Sequence, residues 1–269
     1  MNDATNLGQY DELVVEDDGP VRILRINRPE SLGAFTWTMI DTWADALVAA
    51  QWDPEVRVVV LTGTGRGFCS GVDLAELAAV GDSPIDRKRM LTQRVHKVAR
   101  AVDDLEKPLI CAVNGTAVGA GMDMALMCDL RLAAESAKFS EGYIHLGLVP
   151  GDGGSYYLPR IVGVAKALEL LWTGDTLTAQ EALDCGIVTR VLPDDQLAGA
   201  ALELAHRIAQ KSPIAVSMIK RHTYQSLRMD LRASLDLISS HMGIVQSTED
   251  QAEAMAAFRE RRTPEFTDR

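Results

Sequence analysis

The 269-residue chain carries 27 Lys and Arg against 38 Asp and Glu, a net charge of −11, with 47% hydrophobic and 24% charged residues. That balance is ordinary for a soluble globular protein with one large core or two unequal ones. Its sign argues against nucleic acid or an anionic membrane as the main partner, while leaving room for a phosphorylated small ligand. No apolar run reaches the roughly 20 residues that a membrane-spanning helix needs, and the acidic opening MNDATNLGQYDELVVEDDG lacks the basic and apolar regions of a signal peptide, so a cytoplasmic location is expected.

In chain order, VRILRIN (21–27) alternates between turn residues and is expected as a strand. From Thr36 the residues Met39, Ile40, Trp43 and Leu47 recur at helical spacing. VRVVVLTG (56–63) and PLICAVNG (108–115) are short apolar runs of the kind buried in parallel sheets. Between them, Leu91, Val95, Val98, Val102 and Leu105 share one face of a helix predicted over 86–105. Strand and helix alternate as in βαβ units.

From about residue 163 helix follows helix. TAQE (178–181) reads as a capping box and Gly186 as that helix's stop; Ser212-Pro213 opens another helix, and residues 247–262 form the last. The division expected is an α/β core over 1–195 and a helical region over 196–269. Cys69, Cys111, Cys128 and Cys185 are far apart and read as reduced core thiols, with no zinc spacing.

Two loops share a design. TGTGRGFCSGVDL (62–74) and NGTAVGAGMDM (114–124) each leave a buried strand, are rich in glycine and enter a helix. Either alone could be a tight turn. Together they can offer two backbone N–H groups to one oxygen, with small residues letting the backbone approach. Asp123 follows as a lone acid in an apolar run.

Further motifs accompany these loops: INRPESLGAF (26–35), GRGFCSGVDLAEL (65–77), AVNGTAVGAGMDMALMCDLRLAAESAKF (112–139), GLVPGDGGSYYLPRIVG (147–163) and AMAAFRERRTPEF (254–266). In order and interval they resemble the signatures of the enoyl-CoA hydratase/isomerase (crotonase) superfamily along almost the whole chain. The resemblance implies an α/β fold, a spiral of ββα turns with a C-terminal helical region used for trimerisation, as a homotrimer or dimer of trimers. It implies an acyl-CoA thioester as substrate, with its enolate held by the amides of Ser70 and Ala120. Coenzyme A then arrives as part of the substrate, and no metal or other cofactor is expected. By the same likeness, Arg28, Leu32, Ala34, Ser70, Gly71, Val72, Asp73, Leu74, Gly119 and Ala120 contact the substrate. Phe258 and Phe266 cover the nucleotide, of this or a neighbouring subunit.

Asp123 stands where family hydratases carry a glutamate, but the second hydratase acid, twenty residues on, is replaced by Tyr143. A phenol, with a pKa of about 10, donates a hydrogen bond but is a poor base near neutrality. Asp152, in PGDGG, is either a substitute acid, as in relatives with an aspartate nearby, or a turn residue bonding its own backbone. Glu141 is the other nearby acid that could substitute, sharing a face with Tyr143 if it lies on a strand, though an exposed or interface role is expected. His145 reads as a core or interface residue, His96 as solvated, Asp73 as ordering its loop and Asp129 as structural. Trp37, Trp43, Trp52 and Trp172 read as core or acyl-pocket lining. The nominal reaction is hydration of a 2-enoyl-CoA; double-bond isomerisation, needing one base, is the alternative. A non-catalytic acyl-CoA binder is the rival of another class.

Overall fold

The apolar runs read as strands are buried on both faces. The computed structural model describes residues 12–269, so most of the acidic opening segment lies outside the described residues. The described residues open with β1 (Leu13–Asp18), β2 (Val21–Ile26) and α1 (Trp37–Trp52), whose first turn is capped by the Thr36 hydroxyl. Three turns of one plan follow. β3 (Val58–Gly63) and β4 (Gly67–Cys69) lead to α2 (Leu74–Ala78), α3 (Pro84–Met90) and α4 (His96–Asp104). β5 (Leu109–Val113) and β6 (Thr116–Val118) lead to α5 (Ala120–Leu126). β7 (Leu130–Ala134) and β8 (Lys138–Ser140) lead through a 3-10 turn at Gly142–Leu146 to α6 (Gly154–Val162) and α7 (Val164–Thr173). Each turn gives one strand to each of two sheets.

Next come β9 (Leu177–Thr178), α8 (Ala179–Asp184), β10 (Arg190–Leu192) and the helices α9 (Leu197–Ala209), α10 (Pro213–Ser226), α11 (Leu231–Gln246) and α12 (Glu249–Glu260). The larger sheet runs β1-β2-β3-β5-β7-β10, parallel except at β1–β2; the smaller runs β4-β6-β8-β9, with only β9 antiparallel. The capping box at Thr178 and Glu181 is present, and Ser212 caps α10 ahead of Pro213. β9 and β10 break the expected run of helices, since two or three residues are too few to show a period.

Side chains alternate between two cores, which is why these strands are apolar throughout. Val59, Leu61, Cys111 and Val113 face the main core with Trp43 and Leu47 of α1, whereas Val58, Val60, Ile110 and Ala112 face α9. At roughly 1.5–3 kcal/mol per fully buried large aliphatic side chain, Leu197 and Leu204, with Ala201, Ala205 and Ala209 beside them, fasten α9 to the sheet. Residues 197–209, numbered above with the helical region, thus share a core with the strands. By contrast α10 buries no residue completely and is held by polar contacts: Lys220 and Tyr224 both reach Asp129, which also accepts from the Leu109 amide. Asp129 has the structural role expected of it.

The single helix expected over 86–105 is α3 and α4 joined by a π-helical turn at Leu91–Val95. Its apolar face survives, with Val95, Val98, Val102 and Leu105 buried. Of the tryptophans, Trp43 is core, but Trp52 and Trp172 are 80% and 69% exposed on this chain, so neither is a core residue. All four cysteines are free, and Cys185 is only half-buried.

Candidate active site

The two glycine loops leave the carboxyl ends of β3 and β5 through β4 and β6, which pair in parallel. They touch. A Cβ on Gly121 would fall against the Cys69 carbonyl closer than any real carbon–oxygen contact, so only glycine lets α5 start there. Ala120 is the first residue of α5, so its amide has no acceptor four residues back in the helix. A Cβ on Gly71 would lie 3.8 Å from that amide nitrogen, which puts the backbone beside Ser70 within reach of it. The Ser70 hydroxyl itself donates to the Ser31 carbonyl.

The segment 28–35 packs on the same loop. Arg28 donates to the Ala34 carbonyl at 2.7 Å and to Asp73 at 2.8 Å, and Phe35 bridges Val72. Leu32 adopts a left-handed φ of 53°, and Gly67 accommodates its backbone. Asp73 caps α2 through the Ala75 amide, and the Arg28 hydrogen bond lowers its pKa first of all, as expected of a loop-ordering acid. Arg28, Leu32, Ala34, Ser70, Gly71, Val72, Asp73, Leu74, Gly119 and Ala120 therefore form one continuous region. Phe266 does not join it: its carbonyl accepts from Arg57, at the amino end of β3. Phe258 is 82% exposed on α12. A cavity of about 760 Å³ also lies at those amino ends, lined by Gly19, Arg57, Lys107 and Pro108, and holds none of the acids discussed next.

Three carboxyl groups and a phenol meet beneath the glycine loops. Asp123 lies on the first turn of α5, Tyr143 and Glu141 at the 3-10 turn after β8, and Asp152 just before α6. Tyr143 Oη lies 2.8 Å from Asp123 Oδ2 and 3.0 Å from Asp152 Oδ2, and the Asp152 amide donates to the same Asp123 oxygen at 3.2 Å. The Tyr143 ring passes beside Gly119, where a Cβ would stand 3.7 Å from it. Tyr143 thus connects the first residues of α5 to the acids.

This geometry corrects two expectations and decides an open one. Asp152 is not a turn residue bonding its own backbone: it is buried, its Oδ2 faces Tyr143, and its Oδ1 has no partner. Glu141 is neither exposed nor at an edge, being 1% exposed behind Asp123. His96 is not solvated, since its Nε2 meets the Gly151 carbonyl at 2.8 Å and props the loop that carries Asp152. Leu91, in the π-helical turn, packs against the same Gly151. Such turns often mark functional positions. His145 is exposed, with its ring nitrogen on the Gly174 carbonyl.

Burial without a cation sets the protonation of the group. Among the described residues, Asp123, Glu141 and Asp152 form no ion pair with Lys or Arg. Burial, then the charge of Asp152, pushes Asp123 up to about 7. Burial pushes Asp152 up to about 6, against the Tyr143 hydrogen bond and nearby His96. Burial, then Asp123, pushes Glu141 to about 10, and burial with both aspartates raises Tyr143 well above its ordinary value. One phenolic proton cannot serve two carboxylates at once. Tyr143 therefore donates to one aspartate, and the other closes the contact only when it carries a proton itself. Such a pair is suited to give and take a proton near neutrality. Among the described residues, no group of three or more His, Cys, Asp and Glu is placed to hold a metal ion, and no helix is long and apolar enough to cross a membrane.

A family model described as enoyl-CoA hydratase/isomerase matches residues 16–269. The chain belongs to that family. It is 34% identical over 258 residues to a crotonyl-CoA hydratase of Syntrophomonas wolfei, covering 96% of this chain and 98% of that one. It is 36% identical over 248 residues to a 1,2-epoxyphenylacetyl-CoA isomerase of Escherichia coli, covering 92% and 95%. Among solved structures, the enoyl-CoA hydratase of Bacillus anthracis superposes with a TM-score of 0.92 at 33% identity, covering 96% of this chain and all of the other. The protein is thus an enzyme of the enoyl-CoA hydratase/isomerase family with the crotonase fold, its two sheets wound as the resemblance implied.

Proposed function

We propose that the enzyme binds an acyl-CoA thioester, stabilises its enolate with the Ser70 and Ala120 amides, and moves a proton along the acyl chain through Asp123 and Asp152. The observation that carries this reading is the Tyr143 hydroxyl joining two buried, cation-free aspartates beside the Ala120 loop. A non-catalytic binder would have no use for such acids, whose burial costs stability.

Double-bond migration is the reaction that suits the pair. As the thioester oxygen takes up negative charge on the two amides, one aspartate accepts a proton from the chain and the pair returns one to another carbon. Tyr143 is the hydrogen bond that keeps the aspartates together, not the base. Hydration is the second reading, favoured by Asp152: it places a second carboxyl group across the Tyr143 hydroxyl from Asp123, where Tyr143 has replaced the usual second acid. Arg28, Leu32, Ala34, Ser70 to Leu74 and Gly119 are the expected contacts of coenzyme A, which enters as part of the substrate. Exposed Ile219, Leu227, Leu231, Leu235, Met242 and Ile244 on and around α10 and α11 support assembly into a homotrimer or dimer of trimers, in which Phe258 can reach a neighbour's nucleotide.

Incubating the protein with crotonyl-CoA and with 3-enoyl-CoA in deuterated water, followed by mass spectrometry, tests the reading. Conversion of 3-enoyl to 2-enoyl thioester with deuterium uptake is expected, and it should fail in Asp123→Asn. A mass gain of one water from crotonyl-CoA would instead establish hydration. Binding with neither change would overturn the proton-transfer reading.

A further inference from the structure

Glu141 is the one member of the acid group to which the reaction above gives no part. Its two carboxyl oxygens are buried without a hydrogen-bond partner, and Asp123 Oδ1 is buried with no side-chain partner of its own, only the Gly154 backbone standing beside it. These unpartnered oxygens are close together. A side-chain carbon on Gly154 would stand 2.8 and 2.9 Å from the two Glu141 oxygens and closer still to Asp123 Oδ1, so all three crowd around one point at the start of α6. Two dry carboxylates cannot both be charged at that separation without a cation. A single proton between them satisfies both.

We propose that Glu141 is a positioning residue: a neutral carboxyl group that donates a hydrogen bond to Asp123 Oδ1, leaving Oδ2 to face Tyr143 and Asp152. The inference deepens the proton-transfer reading and rests on it for its kinetic consequence, though not for the hydrogen bond itself. The titratable groups facing Glu141 agree. Asp123 on α5 and Asp152 before α6 are acids, Tyr143 on its own turn is a phenol, and His96 of α4 lies on the far side of the Asp152 loop. Burial and the two aspartates both hold its proton on, and the bond in turn favours charge on Asp123. Gly154 has to be glycine because any side chain there would separate the pair.

Two measurements test this, one of them independent of activity. In infrared difference spectra at pH 8.5, above Asp123 and Asp152 but below Glu141, the wild type should keep the carbonyl band of a protonated carboxylic acid. Glu141→Gln should lose it. Absence of that band from the wild type overturns the proposal whatever the enzyme does with substrate. The second is the pH profile of kcat/KM. Glu141→Met removes the donor and should move the acid limb up by about one pH unit, whereas Glu141→Gln, whose amide still donates, should leave it in place. A downward shift in Glu141→Gln would mean that Glu141 is charged, and no shift in Glu141→Met would mean that it does not touch Asp123; both contradict the assignment. A protein that shows the band but turns over no enoyl-CoA would sink the proton-transfer reading and leave the hydrogen bond standing.

Discussion

Acids gather at two places near the glycine loops, and they are treated in opposite ways. Asp73 faces Arg28 and the first turn of α2, and its pKa is lowered by those partners. Asp123, Glu141 and Asp152 sit under the same loops with no cation, and their pKa values are raised. The first arrangement stabilises the fold: the carboxylate charge is wanted there. The second holds protons that the fold would be more stable keeping, which is what a site for proton transfer requires. Charge pairing therefore separates a loop-ordering acid from acids whose raised pKa values suit the proposed proton transfer, although both stand in signature motifs.

The largest effect that could break this contrast is kinetic. Asp123→Asn should lower kcat/KM for enoyl-CoA conversion roughly 10³-fold, within the range for a lost general base, with acyl-CoA binding retained by calorimetry. Tyr143→Phe should cost roughly 10- to 100-fold, the worth of a hydrogen bond to a charged group. It should also move the acid limb of the pH profile upward, because the phenol lowers both aspartates. Gly121→Ala should lose about 1–3 kcal/mol of stability by pushing α5 off the Cys69 carbonyl, and activity should fall with it as the two amides part.

The smallest effect sharpens the comparison most. Asp73→Asn should destabilise by about 1 kcal/mol at pH 8. Its folded pKa lies below the ordinary aspartate value, so the loss should fade as pH falls through that lowered value. Asp123→Asn should do the reverse. Its folded pKa of about 7 lies above 3.8, so between those values the folded chain holds more protons than the unfolded one and stability falls as pH rises. The variant, freed of that charge, should be more stable than wild type at pH 8 and equal to it near pH 4. Urea unfolding at the two pH values checks both signs; equal responses would remove the distinction.

How far the sequence shows these features depends on their range. Local signals were readable: Thr36, Thr178 and Ser212 cap where their side chains imply, and the apolar runs around Val59 and Ile110 are strands because both faces are covered. The motifs also placed Asp123, Tyr143 and Asp152 as candidates. Glu141 was misjudged because its burial depends on α6 beginning at Gly154, thirteen residues away, and on the chain leaving β8 as a 3-10 turn and not as a longer strand. His96 looked like a surface residue on a helical wheel, but the π-helical turn before it sets it against Gly151. Gly121 carried a legible clue, as a glycine at a helix start, but which carbonyl it admits is a tertiary fact.

The central claim is that Asp123 and Asp152, joined by Tyr143, move protons on an acyl-CoA held by the two glycine loops. Its most direct test is the rate at which deuterium from the solvent enters 3-enoyl-CoA, compared between wild type and Asp123→Asn. The account expects exchange in the wild type and its loss in Asp123→Asn. Exchange undiminished in Asp123→Asn would contradict it.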